Sequence, residues 1–100
     1  MTDRELLELA AKAGGITIDP IDAMHEPENW FGWNPLMDDG DALRLAVKLN
    51  FTVRCYMGNT CVQSTVPGGP SVMVDDADTR RAITRAAAEI ARAADAGGKE

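Results

Sequence analysis

"FTVRCYMGNTCVQSTV", residues 51–66, decides the fold. Two runs of alternating side chains flank Gly58-Asn59, a dipeptide suited to a two-residue hairpin turn with glycine first. That turn pairs Phe51 with Val66, Val53 with Ser64, Cys55 with Val62 and Met57 with Thr60. One face then carries Phe51, Val53, Cys55, Met57, Val62 and Val66. The other carries Thr52, Arg54, Tyr56, Cys61, Gln63 and Thr65. A one-residue slip would mix the two sets. Cys55 and Cys61 fall on opposite faces and do not bridge in this register. A three-residue loop over 57–59 would instead set them opposite each other.

Downstream, "PGGP" (67–70) reads as a turn and "SVMV" (71–74) as a third strand. "DDADT" opens a helix capped by Asp75 or Asp76. Ile83, Ala86, Ala87, Ile90 and Ala94 form its buried stripe, and Gly97 and Gly98 stop it. Upstream, "MDDGD" (37–41) starts another helix with Asp38 or Asp39 as cap. Leu43, Ala46, Val47 and Asn50 mark its inner line, widened by Leu45 and Leu49, while Arg44 and Lys48 face solvent. The first helix spans about Asp3 to Ala13. Thr2 and Glu5 have capping-box spacing, and Leu6, Leu9, Ala10 and Ala13 face the core. Gly14 and Gly15 end it. "ITI" (16–18) reads as a short strand ended by Pro20, and residues 19–35 as a long loop. The aromatic run before Pro35 has room for one more brief strand.

Hairpin connections imply antiparallel pairing. The expected fold is α+β: a small, mainly antiparallel sheet of three to four strands with a central hairpin, packed with three helices. One hundred residues suit a single domain. The hydrophobic fraction is 45%, but fifteen of those residues are alanine, so close helix approach builds part of the core. Two cysteines make no disulfide framework, and the N-terminus lacks a signal-peptide pattern. A cytosolic chain with reduced thiols is expected.

The net charge is −6, and its distribution matters more. Between Ala13 and Leu43 stand seven acids and no lysine or arginine. Phosphate repulsion opposes direct nucleic-acid binding there, whereas a basic protein surface is favoured. The segment also holds both tryptophans and Phe31, and aromatic anchors dominate interface energetics. The candidate partner-binding residues are Asp19, Asp22, Glu26, Glu28, Trp30, Phe31, Asp38 and Asp39. The bland alternative is a solvated acidic face. Trp33 is expected as a lid over the second helix, with Trp30 and Phe31 freer to face water.

Other chemistry is poorly served. His25 is the lone histidine and lies far in sequence from Cys55, Cys61, Ser64 and Ser71. Asp22, His25, Glu26 and Glu28 make at best a loose cation site. "DDGDAL" (38–43) lacks the alternating ligands of a calcium loop, and two cysteines do not complete a zinc site. "VPGGP" (66–70) lacks the lysine of a phosphate loop. We expect no catalytic residues, metal or cofactor, and no membrane span.

"WNPLMDDGDALRLAVKL" (33–49), "RRAITRAAAEIARA" (80–93) and "DRELLELAAKAGG" (3–15) resemble small phage proteins described as a phage α-β-α sandwich domain, with NinX-type proteins as distant cousins. The resemblance implies a phage accessory protein acting in the host cytoplasm. That class includes inhibitors of host defence, acidic anti-CRISPR proteins among them. The leading expectation is an inhibitor that occupies a basic surface of a nucleic-acid-handling host complex of CRISPR-effector type and blocks target DNA, with Asp75, Asp76 and Asp78 adding charge. The alternatives are a sponge for a nucleotide second messenger, which would need the arginines to converge on one site, and an accessory protein with neither role.

Overall fold

A computed structural model describes residues 2–64 and 71–97, with side chains described to residue 94. Helix α1 (Asp3–Gly14) opens on the expected capping box. Thr2 accepts from the Glu5 amide, and the Glu5 carboxylate accepts from the Thr2 amide at 3.2 Å. Those bonds hold the Glu5 carboxyl below its ordinary pKa. Gly15 ends the helix with φ 66°, the left-handed conformation a glycine takes without strain.

No strand follows. Residues 16–18 run without strand pairing, so the "ITI" strand is not formed. Pro20 begins a structure rather than ending one: Asp19 caps a short helix α2 (Pro20–Ala23), with proline at its first position, where no N–H is needed. A 3-10 turn follows at Pro27–Asn29. The aromatic run then bends without joining the sheet.

Helix α3 (Asp39–Lys48) starts at Asp38, whose carboxylate accepts from the Asp41 amide at 2.9 Å. Its buried residues are Ala42, Leu45 and Ala46, with Leu49 partly buried. Leu43 and Val47, expected inside, are 62% and 68% exposed. Residues 42, 45, 46 and 49 carry the same spacing as 43, 46, 47 and 50, so two adjacent lines compete for the inner face and tertiary packing picks between them. Asn50 is not on that face; with φ 57° it turns the chain out of the helix.

Strands β1 (Phe51–Tyr56), β2 (Asn59–Ser64) and β3 (Met73–Asp76) form an antiparallel sheet in the order β1-β2-β3. The hairpin register differs from the expected one by two residues: Phe51 pairs with Ser64, Val53 with Val62, Cys55 with Thr60 and Tyr56 with Asn59. The turn is Met57-Gly58, with glycine second at φ 79°. A shift of two keeps the paired side chains on their expected faces, so Cys55 and Cys61 stay on opposite sides as free thiols, but it moves Met57 from its expected pairing with Thr60 into the turn, fully exposed. It also lines up Val53, Val62 and Val74 across the three strands. The expected partner Val66, together with Thr65, the "PGGP" turn and the Gly98 stop, lies outside the described residues.

Helix α4 (Thr79–Gly97) packs on β2, β3, α3 and α1. Asp78 caps it, accepting from the amides of Arg80 and Arg81, in place of the expected Asp75 or Asp76. Ala82, Ile83, Thr84, Ala86, Ala87, Ala88 and Ala91 are buried, more than one stripe, because the helix has neighbours on several sides. Small side chains allow that approach, as the alanine content implied. Arg85, Glu89 and Arg92 mark its exposed strip, and Ala94 is exposed rather than buried. The Thr84 hydroxyl is satisfied by donating to the Arg80 carbonyl at 2.8 Å. Ala87→Leu is therefore expected to destabilise the fold by about 1–3 kcal/mol through overpacking. Ala94→Leu, on the same helix, should change little; paired chemical denaturation curves check both.

Asp76 offers a pH test. Burial pulls its pKa up, but the Asp78 amide at 2.9 Å and the Arg85 guanidinium at 3.0 Å prevail and hold it below 3.8. A carboxyl lowered in the folded state stabilises above its unfolded pKa, and that contribution fades as pH falls through the folded value. Stability should therefore decline in acid below about pH 4. Asp76→Asn should flatten that limb in denaturation curves taken across acidic pH.

Candidate functional site

The acidic segment is an ordered excursion built around two buried polar side chains. Asp22 is 5% exposed. Its carboxylate accepts from the amides of Phe31 and Gly32 at 3.2 and 2.9 Å. A Cβ on Gly32 would lie 2.9 Å from that carboxylate, so glycine permits the approach. Asn34 is the second, 4% exposed. Its side-chain amide donates to the Pro27 carbonyl, its Oδ1 accepts from the Leu36 amide, and its own amide donates to Asp41. The Trp-Asn-Pro element thus ties the excursion to the start of α3.

The aromatics sort differently from expectation. Trp30 is buried, 8% exposed, with its indole N–H donating to the His25 carbonyl at 3.0 Å. Trp33 is partly buried against the core cluster beside Ile16 and Leu45. Phe31, fixed through its backbone to Asp22, points its ring into solvent at 96% exposure. Ile21 and Met24 on and beside α2 are exposed as well.

Arginines from the flanks of the segment and from α4 supply the basic counterweight that residues 13–43 lack. Arg4 of α1 donates to the carbonyls of Ala23 and His25. Arg44 meets Asp41 at 2.6 Å and Asp38 at 3.7 Å. Arg80 meets Asp39 at 3.5 Å. Of the eight residues singled out by sequence, Asp22 and Trp30 are interior supports rather than surface groups. Asp38 is a helix cap and Asp39 an ion-pair partner. Both stay exposed, as does Asp19, which caps α2; Glu26, Glu28 and Phe31 are the outward residues with no structural task of this kind for their side chains. Glu26 and Glu28 line a depression of about 440 Å³ with Asp3, Asn34, Leu36 and Met37. Arg4 lines it too, but its guanidinium is taken up by the Ala23 and His25 carbonyls, so three carboxylates beside Pro27, Leu36 and Met37 suit the charged tip and aliphatic stem of a lysine or arginine.

His25 is exposed and participates through its carbonyl. Among the described residues no group of three or more His, Cys, Asp or Glu side chains is arranged to hold a metal. Cys61 is a poor nucleophile, since burial and then the neighbouring Asp75 push its thiol pKa up. Arg81, Arg85 and Arg92 do converge, around a hollow of about 310 Å³. Each is held by a carboxylate, Asp3, Asp76 and Glu89 respectively, at 3.0–3.1 Å. The "VPGGP" turn lies outside the described residues. No helix among the described residues is long and apolar enough to cross a membrane. Comparison with family models, curated proteins and solved structures finds no match.

Proposed function

We propose that the protein is a non-enzymatic phage inhibitor of a bacterial defence assembly, of anti-CRISPR type. It binds a basic surface on a nucleic-acid-handling host complex and blocks target DNA by competition. The observation that carries this reading is Phe31, a 96% exposed aromatic on a backbone anchored by a buried carboxylate, in a segment that also carries the exposed Glu26 and Glu28. Leaving a phenylalanine in water forfeits burial worth roughly 1.5–3 kcal/mol, which a partner recovers. The depression lined by Asp3, Glu26 and Glu28, three carboxylates against the one guanidinium of Arg4, supports a lysine- or arginine-bearing partner. Because Arg81, Arg85 and Arg92 are each neutralised, the nucleotide-sponge reading gains no support from them.

Affinity capture from bacterial lysate with mass spectrometry tests the proposal. The expected catch is a nucleic-acid-handling complex released by salt. Glu26→Lys and Glu28→Lys together should abolish it while the fold survives, since both side chains are exposed and neither caps a helix through its carboxylate. Asp19, the cap of α2, and Asp22 stay out of the charge-reversal set because they are structural. Capture unaltered by the double reversal would sink the proposed surface.

A further inference from the structure

We infer that two copies of this chain associate through β1, joining their sheets into one six-stranded sheet about a two-fold axis at Val53. This goes beyond the proposed inhibitor surface and rests on different residues. In the order β1-β2-β3, β1 is an edge strand. Tyr56 to Asn59 form the hairpin turn, so the Tyr56 carbonyl is directed at β2. Alternation directs the N–H and C=O groups of Arg54 and Thr52 the same way, and those of Phe51, Val53 and Cys55 outward. An outward row of this kind is a template for another strand.

The side chains beside that row match their own two-fold image. On the helical side lies a groove of about 450 Å³ lined by Leu43, Val53, Cys55 and Ile83. Next to it α3 exposes Leu43 and Val47. Helix α3 leads into β1 and, since Leu43 shares the groove with Val53 and Cys55, runs back over it. From Leu49 back to Leu45 the helix rises about 6 Å, and from Phe51 to Val53 the strand rises about 6.6 Å. Val53 is therefore level with Leu45, midway between Leu43 and Val47. A two-fold at Val53 sets Val53 against its own copy, Phe51 against Cys55 of the second copy, and Leu43 against Val47 of the second copy. On the other face Thr52 opposes Arg54 of the second copy. A register centred on Arg54 would oppose two guanidinium groups, which disfavours it.

Charge selects the same occupant. The charged side chains lining the groove, Asp39 and Arg80, pair with each other at 3.5 Å. Self-association there brings no unpaired charge into the groove, despite the net −6 of each chain; on the opposite face the two Arg54 side chains lie diagonally across the axis, each beside a threonine. An isologous interface of this kind closes at two copies and leaves no further β1 edge.

Sedimentation equilibrium of the full chain over a wide concentration range tests the inference. The expected species is twice the chain mass of 10.7 kDa. Leu43→Glu with Val47→Glu, both at exposed positions, should abolish it while circular dichroism stays unchanged. Val53→Cys in a Cys55→Ser, Cys61→Ser background should cross-link two chains on mild oxidation. The hydrogen-bonded pair on the axis has Cα atoms about 5.5 Å apart, within disulfide range. A monomer at every concentration, including one that captures a different protein along β1, would overturn the inference. So would a dimer that survives the double glutamate change and fails to cross-link at position 53.

Discussion

Asp22→Ala is expected to remove about 3 kcal/mol from the local stability of the acidic excursion. Two amides, those of Phe31 and Gly32, donate to this one carboxylate. Hydrogen bonds to charged groups contribute about 1.5–3 kcal/mol each, and truncation leaves both donors without their acceptor. Asp22→Asn keeps one carbonyl oxygen and should lose about half as much. The effect is concentrated in the excursion, because α2 contributes little to the main core. Hydrogen exchange should accelerate at the amides of Phe31 and Gly32 well before it does in α4. Trp30 emission should shift to the red as the indole loses its place against the His25 carbonyl, read in a Trp33→Phe background. Partner capture should fall with it, because Phe31 is no longer held in one position. Unchanged exchange at these two amides would remove Asp22 as the support of the site.

Phe31→Ala is expected to separate binding from stability. A ring 96% exposed contributes little to folding, so denaturation midpoints should stay within about 0.5 kcal/mol of the native protein. A buried aromatic anchor at an interface is worth at least 2 kcal/mol on truncation. Affinity for the captured complex should therefore fall by roughly 30-fold or more. Calorimetric titration against the purified complex reads the affinity, and a chemical melt reads the stability. A large stability loss would mean that Phe31 packs, and an unchanged affinity would mean that it is idle.

The architecture was legible where local rules suffice. Thr2 and Glu5 cap α1 as their spacing implies, Asp38 caps α3, and alternation assigns the faces of the paired residues 51–56 and 59–64 correctly, missing only Met57, which falls in the turn. The register was not legible to the last pair. Gly58-Asn59 and Met57-Gly58 both supply a glycine for the turn, and the alignment of Val53, Val62 and Val74 needs the third strand. The inner face of α3 was ambiguous for a similar reason, because two parallel lines of apolar residues share one spacing.

The site was legible in outline only. Local sequence marks residues 13–43 as acidic, yet Arg4, Arg44 and Arg80 reach the segment from its flanks and from α4. No local count shows that. Burial of Trp30 with exposure of its neighbour Phe31 follows from the Asp22 clamp, a contact across nine residues. The signal that could have found the clamp is Gly32: a glycine between two aromatics marks a close approach of the backbone to another group. Asn34 announced itself through the Trp-Asn-Pro run, although its bonds to Pro27 and Leu36 leave no mark in the local pattern.

The central claim is that the Phe31 excursion displaces nucleic acid from a host complex. The direct measurement is target-DNA binding by the captured complex as native protein is titrated in, beside Phe31→Ala. The account predicts that DNA binding falls as the native protein saturates the complex and persists with the variant. DNA bound undiminished at saturation would contradict it.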